Sequence, residues 1–297
     1  HYPLRRQRQM CIRDSLSFHH IELLCSDASS AAGRLAAALG AAEWARSDMG
    51  TGNHTYASRV VRSGRCLFAF TAPYTHTPSA QTEHRTESLA QAEAEQALPN
   101  PNLSPNEMVA FVERHGMSVY AVGIHVADAA RAFSIAVAQG AIAKAAPRTS
   151  AAGDCVIAEV QMYPGSDCVL RMVSGRAIEE HSLAFLPGYR RVGRQDEPIP
   201  PTFGLERFDH VVGNVANMSA AQTYLQSITG FHEFAEFTAE DVGTVDSGLN
   251  SVVLASDNEA VLLPVNEPTT GGKRKSQIQT YLEQHRGPGE CAWSSRY

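Results

Sequence analysis

The residues with most chemistry to offer are a histidine and an aspartate side by side in "FDHVVGNV", residues 208–215. Val211, Val212 and Val215 suit a half-buried pleated surface, so the stretch reads as a strand. Alternation along a strand places Phe208, His210, Val212 and Asn214 on one face, and Asp209, Val211, Gly213 and Val215 on the other. An imidazole among apolar neighbours is either a core histidine with satisfied ring nitrogens or a metal ligand. For a lone strand histidine, residue type alone favours the first. Cysteine gives no sharper signal. The six cysteines, at 11, 25, 66, 155, 168 and 291, are scattered without a C-x-x-C pair. That pattern suggests reduced thiols in a cytosol-like compartment.

The elements that must position these residues come from an internal repeat. Three stretches align: "FHHIELLCSDASSAAGRLAAALG" (18–40), "VYAVGIHVADAARAFSIAVAQG" (119–140) and "FDHVVGNVANMSAAQTYLQSITG" (208–230). Each opens on a strand-like run and continues to an Asx residue placed to cap a helix: Asp27, Asp128 and Asn217. Each helix stops at a glycine suited to the left-handed position, namely Gly40, Gly140 and Gly230. From His20 to Gly40 and from His210 to Gly230 the spacing is the same, twenty residues. Strand-like runs then follow in each copy around the turn signals Ser63-Gly64, Pro164-Gly165 and Asp257-Asn258.

The fold class is therefore α+β, with tandem βαβββ modules whose curled half-barrel sheets pair around a cleft. Residues 16–175 form a two-module amino-terminal domain, 176–204 a Pro-containing linker, and 205–297 a carboxy-terminal domain of one module and the start of another. A Pro/Gln/Ala-rich stretch (72–106) reads as a mobile loop. Residues 1–15 have basic residues but no apolar core of a secretory signal. They are set aside from the fold as a translated scar or mis-assembled leader, with a transit-peptide remnant as the alternative.

Bulk properties narrow the function classes. At 297 residues the chain has room for about two domains with cores of their own. A net charge of −6 argues against a nucleic-acid or membrane-surface binder, which needs a basic face. No apolar run approaches a membrane span in length.

The repeat resembles the vicinal-oxygen-chelate superfamily. The run "GFHEFAEFTAEDVGTVDSGLNSVVLAS…VLLPVNEP…GGKRKSQIQTYLEQHRGPG" is similar to the 4-hydroxyphenylpyruvate dioxygenase family of plants and algae, as are "FHHIELLCSDA" and "FLPGYRRV" in the amino-terminal half. The resemblance covers about residues 16–289. It implies a non-haem Fe(II) enzyme of tyrosine catabolism that converts 4-hydroxyphenylpyruvate and O2 to homogentisate and CO2. It also implies a homo-oligomer, cytoplasmic or plastidial, acting on an aromatic 2-oxo acid without nucleic-acid or membrane partners.

The resemblance assigns His210 to iron as one member of a two-His, one-carboxylate set, which leaves open positions for a 2-oxo acid and O2. It assigns Ser251, Asn266 and Gln277 to the substrate pocket, where a few polar groups fix orientation in a mostly apolar cavity. Read without it, Ser251 is an ordinary strand serine, Asn266 a turn residue before Pro268 and Gln277 a solvent-facing side chain. His20 and His125 read as structural. Seven other histidines (His54, His76, His84, His115, His181, His232, His285) lack ligand spacing and are expected in loops or on surfaces. Phe231, Phe234 and Phe237 read as core, and Lys273-Arg274-Lys275 as a solvated loop.

The departure lies after "GPG". The family places a Gln-His pair there, the histidine being its second iron ligand, and this chain has Cys291-Ala292. The family's third ligand, a glutamate, falls beyond Tyr297. The expectation is a frameshifted or shortened catalytic domain that is inactive as written, with a sheet face including Phe208 and Val212 left partly exposed. Cys291 offers a weak alternative ligand. The runner-up readings are a hydroxymandelate synthase-like oxygenase, separable by its product, and a non-catalytic ligand-binding protein of the same fold.

Overall fold

A computed structural model describes residues 12, 15–74, 103–180, 184–193, 203–237, 248–269 and 275–296. The first module runs β1 (Ser17–Leu24), α1 (Ala28–Leu39), β2 (Ala42–Ser47), β3 (Tyr56–Ser63) and β4 (Cys66–Pro73). After α2 (Pro105–His115), the second runs β5 (Ser118–His125), α3 (Ala129–Ala138), β6 (Ala143–Thr149), β7 (Val156–Gln161) and β8 (Val169–Ser174). A short α4 (Arg176–Glu179) and β9 (Arg190–Arg191) precede the third: β10 (Arg207–Asn214), α5 (Met218–Thr229), β11 (His232–Phe237), β12 (Leu249–Ala255) and β13 (Leu262–Pro268). Last come α6 (Gln277–His285) and β14 (Gly289–Arg296). Three βαβββ copies are thus present, as the repeat predicts.

Local chemistry starts and stops the helices. Asp27 accepts from the Ser29 and Ser30 amides, Asp128 from Arg131 and Asn217 from Ala220. Each such cap is worth about 1 kcal/mol. Gly40 and Gly230 close α1 and α5 in the left-handed conformation. The helices lie close on their sheets because small residues face inward: Ala28 and Ala32 of α1, and Ala129, Ala132 and Ala136 of α3, are buried. On α5, Leu225 and Ile228 are buried, contributing about 1.5–3 kcal/mol each.

The sheets are a nine-stranded one, ordered β6-β7-β8-β5-β1-β4-β3-β2-β9, and a five-stranded one, ordered β11-β12-β13-β10-β14. Their centres match. β1 pairs parallel with β4 and antiparallel with β5, while β10 pairs parallel with β13 and antiparallel with β14. β14 therefore holds the place of a fourth module's first strand. Even the irregularities coincide. β1 is shifted against β5 between Phe18 and His20 and between Glu22 and Leu23; β10 is shifted against β14 between Phe208 and His210 and between Val212 and Gly213.

One core joins the two sheets. Phe208 packs edge-on against Phe18 and Phe68, with Trp293 alongside. Gly213 is needed at this junction, since a Cβ there would fall 2.1 Å from the Tyr163 hydroxyl.

Several expectations are corrected. Phe208 is only 3% exposed, because the amino-terminal sheet covers it, whereas Val212 is only half-buried, so the expected exposure holds at Val212 and not at Phe208. Ile12, within the stretch set aside, is fully buried in the core. Of the stretch 72–106 read as a mobile loop, residues 75–102 lie outside what is described, residues 72–73 belong to β4, and Ser104 and Glu107 form a capping box that starts α2 at Pro105. Within the linker stretch 176–204 the described residues are docked: β9 pairs with β2, and Phe185, Leu186 and Tyr189 pack into a second hydrophobic cluster. Phe231 is buried as expected, whereas Phe234 is half exposed. The Phe237 side chain, His76, His84, His181, Lys273 and Arg274 lie outside what is described. Cys25, Cys66, Cys155 and Cys168 are buried free thiols, and Cys291 is an exposed one. Among the described residues no helix is long and apolar enough to cross a membrane.

Candidate metal centre

His210 sits at a bulge, and the bulge sets its chemistry. Phe208 pairs with Ser295 and His210 with Ser294, so Asp209 is an extra residue on β10. Phe208 and His210 consequently face opposite ways, against the strict alternation expected from sequence. Phe208 turns to the shared core; His210 turns away and keeps about a third of its side chain exposed. The bulge also lets neighbours meet: His210 Nδ1 lies 3.0 Å from Asp209 Oδ2. The carboxylate can only accept, so Nδ1 carries the proton and Nε2 presents a lone pair. Nε2 makes no hydrogen bond among the described residues. A carboxylate that fixes the tautomer of a metal-binding histidine produces this arrangement.

From His210 the same face continues along β10 through Val212 to Asn214, about 13 Å away at the rise of a strand. There a polar layer crosses three strands. Asn214 pairs with Asn266 on β13, and Asn266 with Ser251 on β12. Asn266 Nδ2 donates to Asn214 Oδ1 at 3.3 Å, and all three residues are buried. Three of the four candidate residues, His210, Ser251 and Asn266, thus share one face of one sheet. Asn214 completes the layer; its place on that face is visible in the sequence, but nothing there gives it a partner. Gln277 is not brought to them. It begins α6, is exposed, and hydrogen-bonds none of the other three.

The donor set for a metal is incomplete in this chain. Val212 pairs with Ala292, and His210 with Ser294, so Ala292 stands diagonal to His210 on the same face. It has no donor atom. Among the described residues no cluster of three or more His, Cys, Asp or Glu side chains is placed to hold a metal ion. Cys291 is the extra residue at the second bulge, its thiol 3.5 Å from the Val212 carbonyl. Although Cys291 is exposed as a residue, desolvation around its sulfur, with Glu290 beside it, pushes the thiol pKa up to about 12, so the thiolate a metal needs is disfavoured.

The opposite face near this site carries groups the sequence did not flag. Glu290 is buried, and burial raises its pKa to about 7. His115 and His285, expected in loops or on the surface, are instead stacked with ring centroids 4.2 Å apart. His115 bonds Asp167 and the His285 carbonyl, and the His285 ring stacks in turn on Tyr281. They hold α2 against α6. His54 and His232 are exposed as expected.

No protein-family model matches the chain. It is 50% identical over 275 residues to a 4-hydroxyphenylpyruvate dioxygenase of Hordeum vulgare, a match covering 93% of this chain and 58% of that protein. It is 47% identical to the one of Arabidopsis thaliana over 92% of this chain and 58% of that protein. The chain thus spans a little under three-fifths of the relatives it matches. Among solved structures, a mutant 4-hydroxymandelate synthase from Streptomyces coelicolor superposes with a TM-score of 0.70 at 20% identity, over 95% of this chain and 71% of that one. A fusion of a xylose isomerase-like TIM barrel with a 4-hydroxyphenylpyruvate dioxygenase superposes at 0.57 and 16% identity, over 95% of this chain and 36% of that one. These two show a shared fold.

Proposed function

We propose that this chain, a homologue of the plant 4-hydroxyphenylpyruvate dioxygenases over 58% of their length, is part of a non-haem Fe(II) dioxygenase. Its reaction would convert 4-hydroxyphenylpyruvate and O2 to homogentisate and CO2. The observation that carries this reading is the His210 face. It bears an imidazole with its tautomer fixed by Asp209, an open Nε2, and a polar layer of Asn214, Ser251 and Asn266 further along the same face.

In this reading His210 is one iron ligand, and Ser251 and Asn266 orient the aromatic 2-oxo acid. Gln277 joins them only if α6 changes its position or side-chain direction, since it is exposed as placed here. The donors present do not fit an iron ion, one imidazole being too few, so no chemical step is assigned to the metal within this chain. A plastidial or cytoplasmic setting and a homo-oligomer belong to the same proposal.

The test uses the chain with Ala292→His, which adds a second imidazole diagonal to His210. Cobalt(II) affinity, read by titration calorimetry, should rise over the parent chain, because a second imidazole donor joins His210. The rise should vanish in Ala292→His combined with His210→Ala. A folded Ala292→His variant with unchanged affinity would refute the metal face. Homogentisate formation by the parent chain alone would refute the incomplete donor set.

A further inference from the structure

The amino-terminal sheet repeats the His210 face, and there the face is filled by the protein itself. His20 holds the register position of His210, one residue past an equivalent bulge. The bulged neighbour again contacts the ring: His19 Nδ1 lies 2.8 Å from His20 Nδ1, where Asp209 contacts His210. Glu22 stands where Val212 stands, Thr71 where Asn266 stands and Ser58 where Ser251 stands. Gly123, opposite His20, has no side chain for a reason: a Cβ there would lie 2.3 Å from the His20 ring.

At the centre is Arg171, 1% exposed, projecting from β8. Its Nη1 donates to Glu22 Oε2 at 2.5 Å and to His20 Nε2 at 2.9 Å, and its Nε donates to Glu159 Oε1 at 2.7 Å. A guanidinium has no acceptor, so His20 Nε2 must offer its lone pair, as a ligand offers one to a metal. Glu22 is held in turn by Thr71, and Thr71 by Ser58. The Tyr189 hydroxyl donates to Ser58 at 2.7 Å, and the Phe185 ring packs edge-on against His20. The docked segment between the two halves therefore covers this network.

One imidazole and two carboxylates converging on a single buried positive charge form a cation site whose cation is covalently part of the chain. We propose that Arg171 occupies the place of a metal ion in the amino-terminal cleft, and that removing its guanidinium makes His20, Glu22 and Glu159 a site for a divalent cation such as Zn(II) or Co(II). Nitrogen and carboxylate donors of this kind suit those ions. The donors now surround a guanidinium wider than a metal ion, so they must draw inward by a side-chain adjustment to bind one. Among the described residues Arg171 Nη2 has no hydrogen-bond partner in its buried position, so the guanidinium fills the space without using every donor.

The test is made on the full chain with Arg171→Gly, beside Arg171→Gly combined with His20→Ala. Arg171→Gly alone should be less heat-stable, because two buried carboxylates lose their cation. Zinc should restore its melting temperature, and cobalt should bind with about one equivalent more than the wild-type chain. Both gains should be lost in the double variant, which lacks the imidazole donor. If Arg171→Gly does not fold alone, it is refolded with and without zinc, and zinc-dependent recovery absent from the double variant supports the proposal. No added metal uptake and no zinc effect on folding or stability would overturn it, as would gains that survive loss of His20.

Discussion

Replacing Glu290 by glutamine should reverse part of this chain's pH dependence, and the size follows from its surroundings. Glu290 is 4% exposed, and among the described residues neither carboxylate oxygen has a hydrogen bond of good geometry. Burial raises its pKa to about 7, the adjacent Tyr163 hydroxyl pulling only partly the other way. The unfolded chain binds that proton with a pKa near 4.5. A raised folded-state pKa means the stabilisation is complete below about pH 4.5 and is lost as pH rises through about 7. At about 1.36 kcal/mol per unit, the loss approaches about 3 kcal/mol by pH 8. Glutamine cannot titrate, so Glu290→Gln should gain about 3 kcal/mol relative to the parent between pH 4.5 and pH 8. Its own burial cost is the same at every pH and cancels in that difference. Urea unfolding of both chains across this range is the assay. A stability difference that stays flat with pH would show that Glu290 is solvated or paired, and would refute the reasoning.

His285 should act in the opposite sense. Burial first, then His115, lowers its pKa below the usual histidine value, although its bond to Gly287 works against the shift. Its stabilisation is therefore present above about pH 6.5 and lost as pH falls through the lowered folded value. His285→Phe keeps a ring in the stack and should flatten the acid-side loss in urea unfolding; an unchanged slope would count against the stack as its source. In the polar layer, Asn266→Ala leaves Asn214 without its donor and should cost about 1 kcal/mol in chemical denaturation. Gln277→Ala, exposed at the start of α6, should stay within about 0.5 kcal/mol of the parent. Equal losses in the two would mean Gln277 is packed.

Much of the fold was legible because its signals are local. A cap such as Asp27 needs only the amides two and three residues ahead, and a stop such as Gly230 needs only its own freedom at positive φ. Three repetitions of strand, cap, helix and stop then force three like modules, and motif resemblance singled out His210, Ser251, Asn266 and Gln277, of which the fold brings the first three to one face and leaves Gln277 apart. What sequence could not supply depends on register and on partners far along the chain. The bulge at Asp209, invisible to strict alternation, decides that Phe208 enters the core while His210 faces away. The cover on Phe208 comes from Phe18 and Phe68, nearly two and about one and a half hundred residues earlier. Arg171 reaches back 149 residues to Glu22 and 151 to His20, and no local pattern announces a cation there. His115 and His285, 170 residues apart, become a stack only when α2 meets α6. Propensity and capping act within a turn of helix and so are written in the sequence. A bulge, a buried ion network and a covered face are set by which strands lie side by side, and only the folded chain decides that.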